Sequence, residues 1–200
     1  MSEAKKTTRK RLTRDDWIQA ATQRLLAQGV EAVRIESLAE SMSVSRGSFY
    51  WHFKNHAELL EAILIRWRET QTRGLMNRIS KDRRLSAADQ LAKLRTLPPR
   101  SKATKDASEL ELAVRAWARR DPVARHIVEG VDRERIDFTT SLLVEAGTEP
   151  DEAQYQAITA YAYSLGESLL RENMTDAQID ACRSRLIQMQ AATFADKNAS

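Results

Sequence analysis

Apolar residues recur along this chain at steps of three and four, and nowhere in a sustained alternation. The first run is Ile18, Ala21 and Leu25. Thr13 with Asp16 three residues on gives it a capping-box start, and Gly29 gives it a stop that tolerates left-handed backbone. Short helices are predicted at about Ile35–Met42 and Ser45–Trp51, with Ser43 and Val44 turning between them. Asn55 with Glu58 then opens a stripe of Leu59, Leu60, Ile63, Leu64, Trp67, Leu75 and Ile79. Unbroken from His56 to Ile79, it would be about 36 Å long at about 1.5 Å per residue. Further starts are Ser86 with Asp89, Ser108 with Glu111, Asp121-Pro122, Pro150, and Thr175 with Gln178. Stops fall near Pro98-Pro99, Gly147 and Asn173, and the last helix reaches about Phe194. The polar, basic stretch from Pro98 to Asp106 reads as a loop. The pattern predicts an all-α chain of nine helices with no sheet.

Charge sharpens this picture. Residues 1–56 carry ten Lys/Arg against six Asp/Glu, whereas the rest of the chain carries 22 of each. The whole positive excess therefore lies in the first quarter, most densely at Lys5, Lys6, Arg9, Lys10, Arg11 and Arg14. A basic arm is either a solvated tail or a nucleic-acid contact, and a folded motif for the DNA groove directly after it favours the second. No apolar run approaches the roughly 18 residues that cross a bilayer. The N-terminus lacks the apolar stretch of a secretory signal, and Cys182 is the only cysteine. A cytoplasmic protein without internal disulfides is expected.

The informative stretch runs from Arg34 to His56. Leu38, Ala39 and Met42 give one short helix an apolar face, and the small Ala39 lets a second helix cross closely. Ser45 stands where it would cap that second helix, and Phe49 and Phe53, four apart, face a core. Arg46, Ser48, Tyr50, Trp51, His52 and Lys54 are left for solvent or a partner. Two short helices joined by a tight turn, the second projecting polar N-terminal residues, fit a helix-turn-helix.

These residues resemble the tetracycline-repressor (TetR) family over about fifty positions: Gly29, Leu38-Ala39, Val44-Ser45, Gly47, Phe49-Tyr50, Phe53 and Lys54, with Glu58-Leu59-Leu60 beyond them. The family commonly has Thr where Arg34 stands and Lys where His56 stands. The resemblance implies a DNA-binding domain over residues 1–55, a helical ligand-binding and dimerisation domain over 56–195, and a frayed tail at 196–200. It puts Arg46, Ser48, Tyr50 and His52 at the major groove, with Gly47 allowing close backbone approach. Arg46 has the fork that matches a guanine edge, or else clamps a phosphate. Lys54, Ser37 and Arg34 are expected at phosphates, Tyr50 reaches one through its hydroxyl or is structural, and Ser45 is expected among the DNA-binding residues. Trp51 either stacks on DNA or packs on the first helix, and His52 either reads DNA or is structural.

The resemblance further implies a pocket, with Trp67, Met76, Trp117, Phe138, Tyr155 and Tyr163 as candidate liners, each equally able to be plain core. The basic segment from Arg78 to Lys105 either faces an anionic effector or is solvated surface. The last two helices are expected to pair with a second copy. One face carries Ala157, Tyr161, Ser164, Leu165 and Ser168, the other Ile179, Cys182, Leu186 and Met189; burial within one chain is the competing reading. Expected partners are double-stranded DNA, a second copy of the chain and a small effector of unknown class, with no membrane. Three histidines and one cysteine show no zinc-ligand spacing, and no glycine-rich phosphate loop is joined to a strand. No cofactor, metal or catalysis is expected. The leading reading is a repressor released from a palindromic operator by a ligand. Its rival is a DNA-binding regulator or architectural protein without such a switch; a helical enzyme and an RNA-binding module rank lower.

Overall fold

A computed structural model describes residues 12–81, 84–95 and 102–197, with side chains described between 12 and 189 apart from 82–83 and 96–104. The arm residues Lys5, Lys6, Arg9, Lys10 and Arg11, the Pro98-Pro99 stop and the last three residues of the tail lie outside the described residues. Those described form helices and turns only. They are α1 (Arg14–Gln28), α2 (Ile35–Ser41), α3 (Arg46–Tyr50), α4 (His56–Arg68), α5 (Gly74–Ser80), α6 (Ala87–Arg95), α7 (Lys102–Ala118), α8 (Pro122–Glu145), α9 (Pro150–Leu170) and α10 (Asp176–Lys197). A π-helical turn, Glu69–Arg73, joins α4 to α5 without a break, so the predicted long helix is one run with one extra residue wound into it.

Most of the predicted starts are physical caps. Thr13 Oγ1 accepts from the Asp16 N–H at 3.2 Å, and the Asp16 carboxylate accepts from the Thr13 N–H at 2.7 Å. Ser86 with Asp89 and Thr175 with Gln178 repeat that reciprocal pattern. Asp121 accepts from the Ala124 N–H at 2.9 Å, with Pro122 in the first turn of α8. Gly29 ends α1 at φ 83°, a backbone that disfavours any side chain.

One start is misplaced. Ser108 with Glu111 does not open a helix, because α7 begins at Lys102 and Ser108 lies inside it. Residues 102–106, expected as loop, are helical. No proline or glycine interrupts 102–118, and the Glu111 carboxylate takes bonds from Arg115 and Arg135 instead of a backbone N–H.

The chain divides into two compact units, residues 1–65 and 66–200. The first is centred on Trp17, Phe49 and Phe53, all at most 2% exposed. The Trp17 and Phe49 rings meet edge to face at 5.3 Å, and Phe49 stacks on Phe53 at 5.3 Å. Leu25, Leu38, Ala39, Leu59 and Ile63 complete the burial. In the second unit Leu142 and Leu143 of α8 pack with Ala153 and Ala157 of α9 and with Ala87 and Leu91 of α6. No described helix is long and apolar enough to cross a membrane.

Candidate nucleic-acid interface

Within the first unit, α2, the turn 42–45 and α3 form the helix-turn-helix. Its turn is closed by N–H groups of Ser43 and Val44, which donate to the carbonyls of Glu40 and Ala39 at 2.9 Å each. Ser43 takes φ 55°, so a non-glycine residue holds the left-handed corner. Ala39, 2% exposed, leaves room for the crossing of α2 and α3.

Phe49 buries one side of α3, and the other side is left in water. Trp51 is 80% exposed and Tyr50 53%. Ser45, Arg46, Gly47 and Lys54 are exposed too, while Ser37, Ser48 and His52 are half-buried. Of the two readings for Trp51, packing against α1 is therefore not the one observed. A Cβ placed on Gly47 would meet only Ser45 Oγ, at 3.6 Å, so nothing inside the fold requires glycine there. Ser45 occupies the N-cap position of α3 with extended backbone, yet its hydroxyl makes no cap bond. Arg46 reaches back to Glu36 of α2 at 3.0 Å, both side chains 60% exposed. That pair has no signature in the sequence, because only the turn brings the first turns of two separate helices together.

The two departures from the family pattern have local explanations. Arg34 stands at the N-cap of α2 with no side-chain cap bond, and its Nε–H donates to the Glu31 carbonyl at 3.3 Å. The Ser37 hydroxyl donates to the Arg34 carbonyl at 3.0 Å. A guanidinium has no acceptor for a helix N-terminus, so α2 lacks the cap that threonine would give it. His56 Nε2 lies 2.5 Å from the Val33 carbonyl, tying the start of α4 to the residue before Arg34. Beside it, Glu58 accepts from the Lys54 N–H at 2.7 Å and pairs with Arg14 at 3.4 Å. The Lys54 N–H, and after it the Arg14 guanidinium, holds the Glu58 carboxyl below its ordinary range. Arg14 also lies over the Phe53 ring at 4.6 Å, so this one cation of the arm region is fixed to the core.

The second unit holds a cavity of about 330 Å³ walled by the π turn, α5, α6, α7, α8, α9 and α10. Met76, Phe138 and Tyr163 lie in its wall; Trp67, Trp117 and Tyr155 do not. Trp67 is fully buried beneath the Arg135 guanidinium at 5.6 Å, Trp117 is core, and Tyr155 is 65% exposed on the far side of α9. Most of the proposed pairing face of α9 points inward, though Ser164 is exposed at the cavity's edge. Ala157 is buried, and Tyr161, Ser164, Leu165 and Ser168 line the cavity. The Tyr161 hydroxyl accepts from Arg115 at 2.6 Å and Arg135 at 3.1 Å and donates to Asp132 at 2.7 Å. That uses every bond a phenol can make, and burial raises its pKa so that it stays neutral. On α10, Ile179 is buried, Leu186 lines the cavity, and Cys182 and Met189 are exposed. What α9 and α10 leave outside shares Cys182 and Met189 with the expected pairing set and adds Tyr155, Ile158, Leu169 and Leu170, with Ile187 partly exposed and Met189 68% exposed.

Comparison with known proteins matches this geometry. Residues 18–63 fit the family described as bacterial regulatory proteins, tetR family. The HTH-type transcriptional regulator TtgR of Pseudomonas putida is 41% identical over 58 residues, 29% of this chain and 28% of that protein. The likeness in sequence thus spans little more than a quarter of that relative. Over most of the chain the likeness is one of fold. A transcriptional regulator from Rhodococcus sp. Rha1 superposes with TM-score 0.73 at 19% identity, covering 91% of this chain and 97% of that one. BioQ, solved with its double-stranded DNA operator, superposes with TM-score 0.53 at 22% identity, covering 90% of this chain and 99% of that one. Residues 18–63, which hold the helix-turn-helix, are thus similar to the bacterial regulatory proteins of the tetR family, and beyond them the likeness is one of fold.

Proposed function

We propose that this protein is a cytoplasmic, DNA-binding transcriptional regulator that works as a homodimer and is a repressor released by a small molecule. One observation carries the DNA-binding part: the outward side of α3 holds Ser45, Arg46, Gly47, Tyr50 and Trp51 in water, although an indole left 80% exposed buries almost none of its apolar area. A glycine that the fold itself does not need, on that same side, suits close approach of a phosphate backbone. Arg46 and Ser48 then face base edges, with Tyr50, His52 and Trp51 beside them. Lys54, Ser37, Ser45 and Arg34 meet phosphates.

Dimerisation is supported by the apolar residues that α9 and α10 leave in water, Tyr155, Ile158, Leu169 and Met189 among them. The cavity supports an effector, and the π turn in its wall belongs to the helical run that begins at His56. On this reading residues 1–55 carry DNA binding, residues 56–195 carry effector binding and dimerisation, and no step is catalytic.

The test is footprinting and titration of the full chain on DNA flanking its own gene. A two-fold dimer should protect an inverted repeat with half-site centres about 34–36 Å apart or a multiple of one turn. With about three phosphate contacts per subunit, log affinity should fall against log salt with a slope near about −5. A slope near zero, or no protected site, refutes the reading.

A further inference from the structure

The cavity in the second unit has an unequal inventory of charge and of hydrogen-bonding capacity. Two carboxylates stand in its wall, and each already holds two arginines. Glu111 accepts from Arg115 at 2.7 Å and Arg135 at 3.0 Å; Glu167 accepts from Arg171 at 2.7 Å and from Arg183 at 2.8 Å. Neither is left to receive a cationic ligand.

The donors are in surplus. Arg95, at the end of α6, lines the cavity half-buried and forms no hydrogen bond or ion pair with any described residue. Burial lowers its pKa with nothing to offset it. Arg171 gives one nitrogen to Glu167, while its Nε and Nη1 are buried without a partner. The Tyr163 hydroxyl, also in the wall, is buried and unpartnered. Buried polar groups are ordinarily satisfied, so the buried vacancies of Arg171 and Tyr163, beside the unpaired and half-buried Arg95, call for a bound group. All three can donate, and two of them are guanidiniums.

The remaining wall is mostly apolar, with Leu75, Met76, Leu91, Phe138, Leu143 and Leu186. At about 330 Å³ the space lies near the small end of ligand pockets, which run from about 300 to 1,000 Å³.

We propose that the effector is a small amphipathic carboxylate, whose anionic head takes the vacant donors of Arg95, Arg171 and Tyr163 and whose apolar body fills the remainder. This deepens the proposed function and rests on its premise that the cavity holds an effector. A cationic ligand would find both carboxylates occupied and the wall richer in arginine than in glutamate.

The test uses the intact chain and three probes of one length, decanoate, 1-decanol and decyltrimethylammonium, each below its micelle concentration, with affinity read by calorimetry. Decanoate should bind at least about tenfold tighter than decanol, the worth of one charge-assisted hydrogen bond, and the ammonium should bind weakest. Arg95→Leu removes a side chain with no partner among the described residues. It should keep its circular dichroism and its affinity for decanol, yet lose most of the preference for decanoate. Tyr163→Phe should weaken decanoate several-fold. Equal affinity for decanoate and decanol, or an undiminished preference in Arg95→Leu, overturns the anionic assignment while leaving the cavity as an effector site. If none of the three binds, the cavity reading falls with it.

Discussion

Replacing Glu134 by Gln should loosen the π turn, and the loss should depend on pH in a direction the structure dictates. Glu134 projects from α8 and accepts from Arg68, in the last turn of α4, and from Arg73, in the π turn, at 3.1 Å. The Arg68 bond, with the Arg73 bond also acting against desolvation, holds the carboxyl at about 2, below its ordinary 4.5. Were the whole difference realised as stability, it would amount to about 3 kcal/mol at about 1.4 kcal/mol per unit. Glu134 keeps 28% of its side chain in water, Arg68 31% and Arg73 45%, so screening reduces this to about 1–2 kcal/mol.

The sign is that of a depressed carboxyl. The contribution is complete above pH 4.5 and declines as pH falls toward 2, with about two fifths left near pH 3. Gln keeps the size and one acceptor but has no charge to lose. Urea denaturation of wild type and Glu134→Gln at pH 7 and pH 3 should show a difference that shrinks by more than half. Amide exchange over 69–73 should rise in the variant at pH 7. A difference that is constant across pH, or absent at pH 7, refutes the assignment of this stability to the Glu134 charge.

Two further variants test the helix-turn-helix. Arg34→Thr supplies the missing acceptor at the N-cap of α2 and should raise stability in urea by about 1 kcal/mol, while weakening DNA binding if the guanidinium meets a phosphate. Glu36→Gln releases Arg46 from an exposed pair worth at most about 1 kcal/mol, so affinity in a DNA titration should rise up to about fivefold; unchanged or weaker binding would show that Arg46 does not leave Glu36 to reach DNA.

Much of the first unit is readable because its signals are local. Phe49 and Phe53 lie four apart on the face that meets Trp17, and Gly29 sits where only a positive φ ends α1. The π turn leaves a trace that simple periodicity passes over. Along the run from His56, burial steps from Ile63 to Trp67 by four and then from Trp67 to Thr72 by five. Gly74 stands just past it, where a Cβ would press on the Glu69 carbonyl at 2.9 Å. A step of five beside a mid-helix glycine is the legible mark of one extra residue per turn.

The faces of α9 are beyond the sequence for a different reason. Small residues at Ala157, Ala160, Ser164 and Ser168 permit close approach, but they do not name what approaches. Within the chain α8 packs on Ala157, and the cavity occupies the space beside Ser164 and Ser168. Tyr161 is misread for the same reason: an aromatic on a helical stripe looks alike whether its hydroxyl faces a second subunit or two arginines and an aspartate. What separates these cases is long-range charge pairing. Arg115 and Asp132 are 17 residues apart, and Arg135 and Glu111 are 24 apart. Such pairs leave no periodic signature. With Ala153, Ala157 and Glu167 buried, the 3.6-residue period puts Tyr155, Ile158 and Leu169 on the opposite side of α9, and the apolar surface available for a second copy is set by the buried one.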